Sequence, residues 1–256
     1  MLETVRANRD HDLKDKIALV TGGGRGIGAA IASELALRGA HVGIGYCNSA
    51  EQAVELAERL AGLGLKAEAR HLDVRSPDQI SQVVKDFAEH RGGLDILVNN
   101  AGVAHVCSIQ DVDSRTLNEM IDVNVKGVFH SIKEALPYLR SGGRIVNIGS
   151  ISSDFMPYAR NSLYVMTKSA VAGLTRGLAR ELAERRITIN NVQPGRIETE
   201  LLREALGERF ESAQALMPLG RFGDVSEVAN LVAFLCSREA DYVTGASLRV
   251  DGGASI

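Results

Sequence analysis

Short apolar runs alternate along the chain with longer segments whose apolar residues recur every three or four positions. The short runs are Ile17–Thr21, His41–Tyr46, Lys66–Val74, Leu94–Val98, Arg144–Ile148, Thr188–Val192 and Ser247–Val250, and each predicts a strand. Between them lie helical patterns. Ile27, Ile31, Leu35 and Leu37 share one face before Gly39, and Ala50–Leu63 is amphipathic and closed by glycines. Pro77 opens a helix containing Ile80, Val83, Val84 and Phe87, and further helical stretches cover Ser114–Leu139 and Tyr164–Arg185. Leu94-Asp-Ile-Leu-Val98 suits a sheet covered on both faces. The alternation predicts one α/β domain, a doubly wound parallel sheet with helices on both faces.

Composition narrows the classes that this pattern allows. The 256 residues carry 29 basic and 32 acidic side chains, a net charge of −3, which argues against a nucleic-acid partner. The longest stretch without a charged residue, Ile96–Gln110, is too short for a membrane span and contains two asparagines, so no membrane partner is expected. Cys47, Cys107 and Cys236 are odd in number and far apart, reading as small apolar residues rather than disulfides. The six histidines form no ligand-spaced cluster, so no metal site is expected. Residues 1–16 mix both charges without an apolar core. They read as a polar N-terminal extension over 1–14, ahead of a single domain over 15–256, in a reducing cytoplasm.

Candidate chemistry begins where the first strand ends, in Thr21-Gly22-Gly-Gly-Arg25-Gly26-Ile27-Gly28. Glycines between a strand and a helix let backbone N–H groups approach a pyrophosphate at the positive helix end, which points to a Rossmann-type dinucleotide site. No Gly-Lys-Ser/Thr follows, so this is not a nucleotide-hydrolase loop. An NAD site normally places a carboxylate at the end of the second strand. Here that end reads Tyr46-Cys47-Asn48-Ser49, with Arg25 as a nearby cation. NADP(H) is therefore expected, with NAD(H) as the alternative.

Tyr164 and Lys168 are four apart and project from one helix face. Ser150 follows the strand that ends at Ile148, at the sheet edge where open α/β folds bind ligands, and Asn124 lies in the preceding helical region. Taken alone, Ser150 could equally be a helix cap and Tyr164 a core aromatic, and Ser152 and Ser153 are rivals for the hydroxyl role. Together with Asp73-Val74, Asn99-Asn100-Ala101-Gly102 and Pro194-Gly195 with Thr199, these motifs stand in one order over residues 15–253. The chain thereby resembles the short-chain dehydrogenase/reductase family, and within it the 3-oxoacyl-[acyl-carrier-protein] reductase-like group.

The resemblance implies reversible reduction of a ketone, in one form a 3-oxoacyl thioester, to a secondary alcohol by hydride transfer. Tyr164 would be the general acid/base, Lys168 would lower its pKa toward 7 and hold the nicotinamide ribose, and Ser150 would orient the substrate oxygen. Asn124 would anchor a water leading to Lys168. Asp73 and Val74 would meet the adenine, Asn100, Ala101 and Gly102 the ribose side, and Ile197 and Thr199 the carboxamide, beside Pro194 and Gly195. The resemblance also implies a homotetramer or homodimer paired through long helices. An unperturbed tyrosine titrates near 10, so a pKa near 7 needs roughly 4 kcal/mol of preferential phenolate stabilisation.

Two segments should shape the substrate pocket. Ile151–Leu163 carries Phe155, Met156 and Tyr158, and Glu200–Met217, rich in charge and leucine, reads as a lid of short helices. An acyl carrier protein is acidic and would call for basic residues at the entrance, for which Arg140, Arg185 and Arg186 are the candidates. The competing readings are a small-ketone, sugar or secondary-metabolite dehydrogenase, or a non-catalytic NADP-binding sensor. A serine hydrolase is set aside because Gly149-Ser150-Ile151 lacks the flanking glycines of the nucleophile turn.

Overall fold

The computed structural model describes residues 12–256; most of the polar extension expected over 1–14 lies outside the described residues. Within it, Leu13 is only 1% exposed and already belongs to the core, while Asp12 pairs with Arg38. Seven strands form one parallel sheet in the order β3-β2-β1-β4-β5-β6-β7. They are β1 Ile17–Thr21, β2 His41–Tyr46, β3 Ala67–His71, β4 Leu94–Asn99, β5 Leu139–Ile148, β6 Thr188–Pro194 and β7 Ser247–Val250. The order runs outward from β1 to β3 and then returns to β4. The carboxyl ends of β1 and β4 therefore flank a topological switch point, where such sheets bind ligands.

Alternation along the strands sends side chains into two cores. Ala18, Val20, Ile44, Ile96 and Val98 face α1 Gly26–Leu37, α2 Ala50–Gly62 and a helix at Val225–Cys236. Ile17, Leu19, Leu97, Ile145 and Ile189 face α3 Pro77–Glu89, α5 Gly127–Ala135 and α6 Ser162–Glu181. Completing the chain order, α4 is Ser114–Ile121, α7 is Glu200–Leu206, α8 is Phe210–Ala215 and α9 is the Val225–Cys236 helix.

Several boundaries depart from the sequence reading. The helical stretch expected over Ser114–Leu139 is interrupted by a π turn at Asp122–Lys126 and ends at Ala135. β5 begins at Leu139 rather than Arg144, because the chain bulges at Ser141-Gly142-Gly143, where Gly142 has φ +79°. β3 stops at His71 rather than Val74, and the helix expected to run to Arg185 gives way at Leu182 to a tighter turn over Ala183–Arg185. α9 was not anticipated. Its Asp224/Glu227 capping box and buried Val228, Ala229, Val232 and Ala233 are the signals that could have found it. Only Cys236 of the three cysteines is buried; Cys47 and Cys107 are partly exposed, and all three are free thiols.

Candidate functional site

The turn after β1 is built around glycine. Gly22 and Gly26 have φ of +63° and +54°, and a methyl group on Gly28 would sit 2.1 Å from the Gly22 carbonyl oxygen. Asn100 Nδ2 donates to that same carbonyl at 2.8 Å, and Thr21 Oγ1 accepts from the backbone N–H of Asn100 and of Ala101, each at 3.1 Å. The turns after β1 and β4 are thus laced together at the switch point. α1 starts at Gly26 with no side-chain cap from Arg25 and no acidic residue in its first turn, so its leading N–H groups stay free to meet an anion. Thr199, which caps α7 through the Leu202 N–H at 3.2 Å, closes this region beside Gly26. This cradle fits a dinucleotide pyrophosphate.

At the end of β2, Tyr46 packs edge-on against His71, the Cys47 thiol approaches Asn48 Oδ1 at 3.5 Å, and Ser49 lies against Gly24. Arg25 is exposed and has no ion-pair partner among the described residues. One acid does come close. Asp73 lies beside Cys47, and Arg75 holds its carboxylate with Nε at 2.9 and 3.0 Å and Nη2 at 2.6 Å. Those hydrogen bonds keep Asp73 below the usual carboxylate range, whereas burial and then the Asp73 charge push the Cys47 thiol up.

The polar groups of the catalytic pattern converge around Gly102. A methyl there would lie 3.4 Å from Asn124 Oδ1 and 3.5 Å from Lys168 Nζ. The π turn brings Asn124, 1% exposed, to Val103: its Oδ1 accepts the Val103 N–H at 2.9 Å and its Nδ2 donates to the Val103 carbonyl at 2.8 Å. Nδ2 also donates to Thr167 Oγ1 at 3.1 Å. Lys168, 6% exposed, donates to the Ile148 carbonyl at 2.9 Å, and its Nζ lies 5.8 Å from the centroid of the Tyr164 ring. Ser150, two residues past the end of β5, caps a tight turn over Ile151–Ser153, accepting the Ser152 N–H at 3.1 Å and donating to Ser152 Oγ at 3.0 Å. The capping reading of Ser150 therefore holds alongside its place next to Tyr164.

The electrostatics differ from expectation at Tyr164. Burial pushes its phenol up, and the opposing pull comes from the Ser150 hydroxyl rather than from Lys168. The reason lies in Lys168 itself: burial drives its ammonium down to about 8, and the head is turned to a main-chain carbonyl.

Other expected contacts fall elsewhere. Val74 is a core residue packed on Gly127, and Ile197 is buried against Gly223, so only their main chains remain for a ligand. Ile27 is half-buried against the core, Pro194 ends β6, and Gly195 packs on Asp251. Arg140 and Arg185 are not at the entrance at all. Arg140 binds Asp95, which accepts the Ile17 N–H at the amino edge of the sheet, and Arg185 donates to the Leu136 and Leu139 carbonyls. Thr21, Thr167, Ser152 and Arg75, which orient the groups above, were not foreseen in these roles. Each shows itself only through a partner distant in sequence or through a turn.

A glycine turn at the switch point, with a tyrosine–lysine pair and a serine gathered along the carboxyl edge, defines a dinucleotide-dependent oxidoreductase. The family described as enoyl-(acyl carrier protein) reductase matches residues 22–255. A 3-oxoacyl-[acyl-carrier-protein] reductase of Staphylococcus aureus is 39% identical over 241 residues, covering 93% of this chain and 97% of that protein. The Serratia marcescens short-chain dehydrogenase/reductase superposes with a TM-score of 0.92 at 43% identity, covering 96% and 100% of the two chains. A Burkholderia cenocepacia short-chain dehydrogenase in complex with NADP gives 0.91 at 41% identity, covering 96% and 100%. The chain belongs to the short-chain dehydrogenase/reductase family of NAD(P)-dependent oxidoreductases.

Proposed function

We propose that the protein is an NADP(H)-dependent ketoreductase that reduces a ketone, such as a 3-oxoacyl group, to a secondary alcohol. The observation that carries this reading is the convergence of Asn124, Lys168 and Gly102 beside Ser150 and Tyr164 at the end of the sheet that also bears the glycine turn. When bound, the cofactor supplies the hydride that reduces the carbonyl carbon. The protein's own part is proton delivery and positioning. Tyr164, kept protonated by its raised pKa, gives its proton to the carbonyl oxygen as the C–O bond becomes single. Ser150 donates a hydrogen bond to that oxygen, releasing the one it makes to Ser152. Lys168 holds the ribose side and steadies the phenolate, with Asn124 fixing the end of its helix through Thr167.

Around the cofactor, Gly22, Gly26, Ile27 and Gly28 would receive the pyrophosphate. Asp73 and Val74 would meet the adenine, and Asn100, Ala101 and Gly102 the ribose. Pro194, Gly195, Ile197 and Thr199 would line the nicotinamide side. Arg25, Asn48 and Ser49, with Tyr46, would take the 2′-phosphate. Similar proteins whose structures carry NADPH or NADP support that choice, and the names of the Staphylococcus relative and of versicolorin reductase of Emericella nidulans support carbonyl reduction. An acyl carrier protein is one source of the substrate. Among the described residues no helix is long and apolar enough to cross a membrane. Exposed Leu117, Phe129 and Met166 on α4, α5 and α6 would support pairing into a dimer or tetramer.

The reading is tested by following NADPH and NADH oxidation with a panel of ketones, β-ketoacyl thioesters and sugars. Turnover with ketones and a preference for NADPH are expected. Equal efficiency with both cofactors would refute the role given to Arg25, and no consumption with any carbonyl compound would refute the enzyme assignment.

A further inference from the structure

We propose that Arg196 is a specificity-determining residue that receives an oxyanion, carboxylate or phosphate, carried by the same molecule as the carbonyl. The proposal rests on the ketoreductase reading and deepens it.

Arg196 follows Pro194-Gly195 at the carboxyl end of β6, in the segment whose carbonyl takes the Gly223 N–H at 3.0 Å. Its guanidinium carbon lies 4.9 Å from the centroid of the Tyr158 ring, and Tyr158 is on the segment between Ser150 and Tyr164. The cation therefore spans the two walls between which a substrate must pass to reach Tyr164.

Two observations single it out as a receptor rather than an ordinary surface arginine. Among the described residues no carboxylate pairs with it, although Glu198, Glu227, Asp154 and Asp251 stand on the segments that line this edge. Each of those acids is occupied: Glu198 with Arg203, Glu227 with Arg221, Asp154 with Arg249 at 3.5 Å, and Asp251 with the Ser255 hydroxyl and N–H. The second is the contact with Tyr158 itself: a cation–π contact holds the guanidinium at the mouth without using its N–H groups on a carboxylate, and a guanidinium so held can meet a carboxylate or phosphate bidentately. Of the arginines that sequence offered for an acidic partner, Arg140 and Arg185 are spent at the opposite edge of the sheet and Arg186 follows the turn there, just ahead of β6, so none of the three supplies charge at the mouth.

The test uses two matched pairs: acetoacetate against its neutral ethyl ester, and the acetoacetyl thioester of 4′-phosphopantetheine against that of pantetheine. The unaltered protein should favour the anionic member of one pair in kcat/KM, and the pair that responds tells carboxylate from phosphate. Arg196→Gln should cut that preference by about tenfold or more, through KM rather than kcat, and Arg196→Lys should keep part of it. An anionic-to-neutral ratio that Arg196→Gln leaves unchanged in both pairs overturns the proposal, and a loss shared equally by both members makes Arg196 a strut between the walls. If the unaltered protein reduces only the neutral members, the proposal alone falls. If it reduces none of the four, nor any ketone of the wider panel, the ketoreductase reading falls with it.

Discussion

The carboxyl edge of the sheet has two halves built on opposite terms. Where β4, β5 and α6 meet, the polar side chains are buried and bonded: Asn124 makes three hydrogen bonds, Lys168 and Ser150 are nearly inaccessible, and Thr167 is enclosed. Across the opening, along residues 154–160 and 196–219, Phe155, Tyr158, Leu216 and Leu219 are exposed, and Arg196 lies against Tyr158 with no carboxylate partner among the described residues. The first half can hold one geometry, because any displacement would strand a buried donor or acceptor. The second can change its contacts at little cost. On the proposed reading, reaction type belongs to the buried half and choice of substrate to the exposed one.

That contrast is broken most directly at Tyr164, where the two halves meet. Tyr164→Phe keeps the ring and removes the acidic proton, so ketone reduction should fall by about 100- to 10,000-fold. NADPH affinity, read from cofactor fluorescence, should change little. A variant that turned over at the parent rate would remove Tyr164 from the chemistry.

A second lever is the pH dependence of stability. Lys168 is pushed down to about 8 in the folded protein from an ordinary value of 10.5. Between those values the unfolded chain binds the extra proton, so the folded state gains stability as pH rises. Below about 8 the buried charge is a standing cost. The melting temperature of the native protein minus that of Lys168→Met should therefore grow from pH 7 to pH 10, by the equivalent of about 2–3 kcal/mol. A difference that stays flat across that range would mean the lysine is solvated. Asn124→Ala should lower stability by about 1–3 kcal/mol at any pH, through unpaired groups on Val103 and Thr167. The same change at exposed Asn48 should leave chemical denaturation unaltered.

How much of this was legible in sequence follows the same division. Strand–helix alternation and the glycine turn are local patterns, and they placed β1, α1, β2 and β4 almost to the residue. Tyr164 and Lys168 were legible because a spacing of four on a helix is a spatial statement. The π turn at Asp122–Lys126 was not, since nothing in Asp-Val-Asn-Val-Lys distinguishes one extra residue per turn until Asn124 is satisfied by Val103 and Thr167. The early start of β5 depends on a bulge that only the pairing with β4 reveals. Arg196 gave no sign either, because its meaning comes from Tyr158, far away along the chain.

The smallest expected effect sharpens the comparison where sequence was silent. The end of β2 has no acid of its own, which is why NADP(H) was expected, yet folding brings Asp73 next to Cys47. That carboxylate remains ionised at neutral pH and would repel a 2′-phosphate as one on β2 would. What prevents this is Arg75, whose bidentate grip offsets the charge from a half-exposed position. Because the pair is solvated, its effect must be modest. Arg75→Ala should lower the NADPH-to-NADH ratio of kcat/KM about two- to fivefold, with the loss shrinking as salt is raised from low ionic strength. The double variant Arg75→Ala with Asp73→Asn should recover most of the ratio, because the repelling charge is gone with its partner. If removing Arg75 lowers NADPH use and Asp73→Asn fails to restore it, Arg75 contacts the phosphate itself rather than masking the acid.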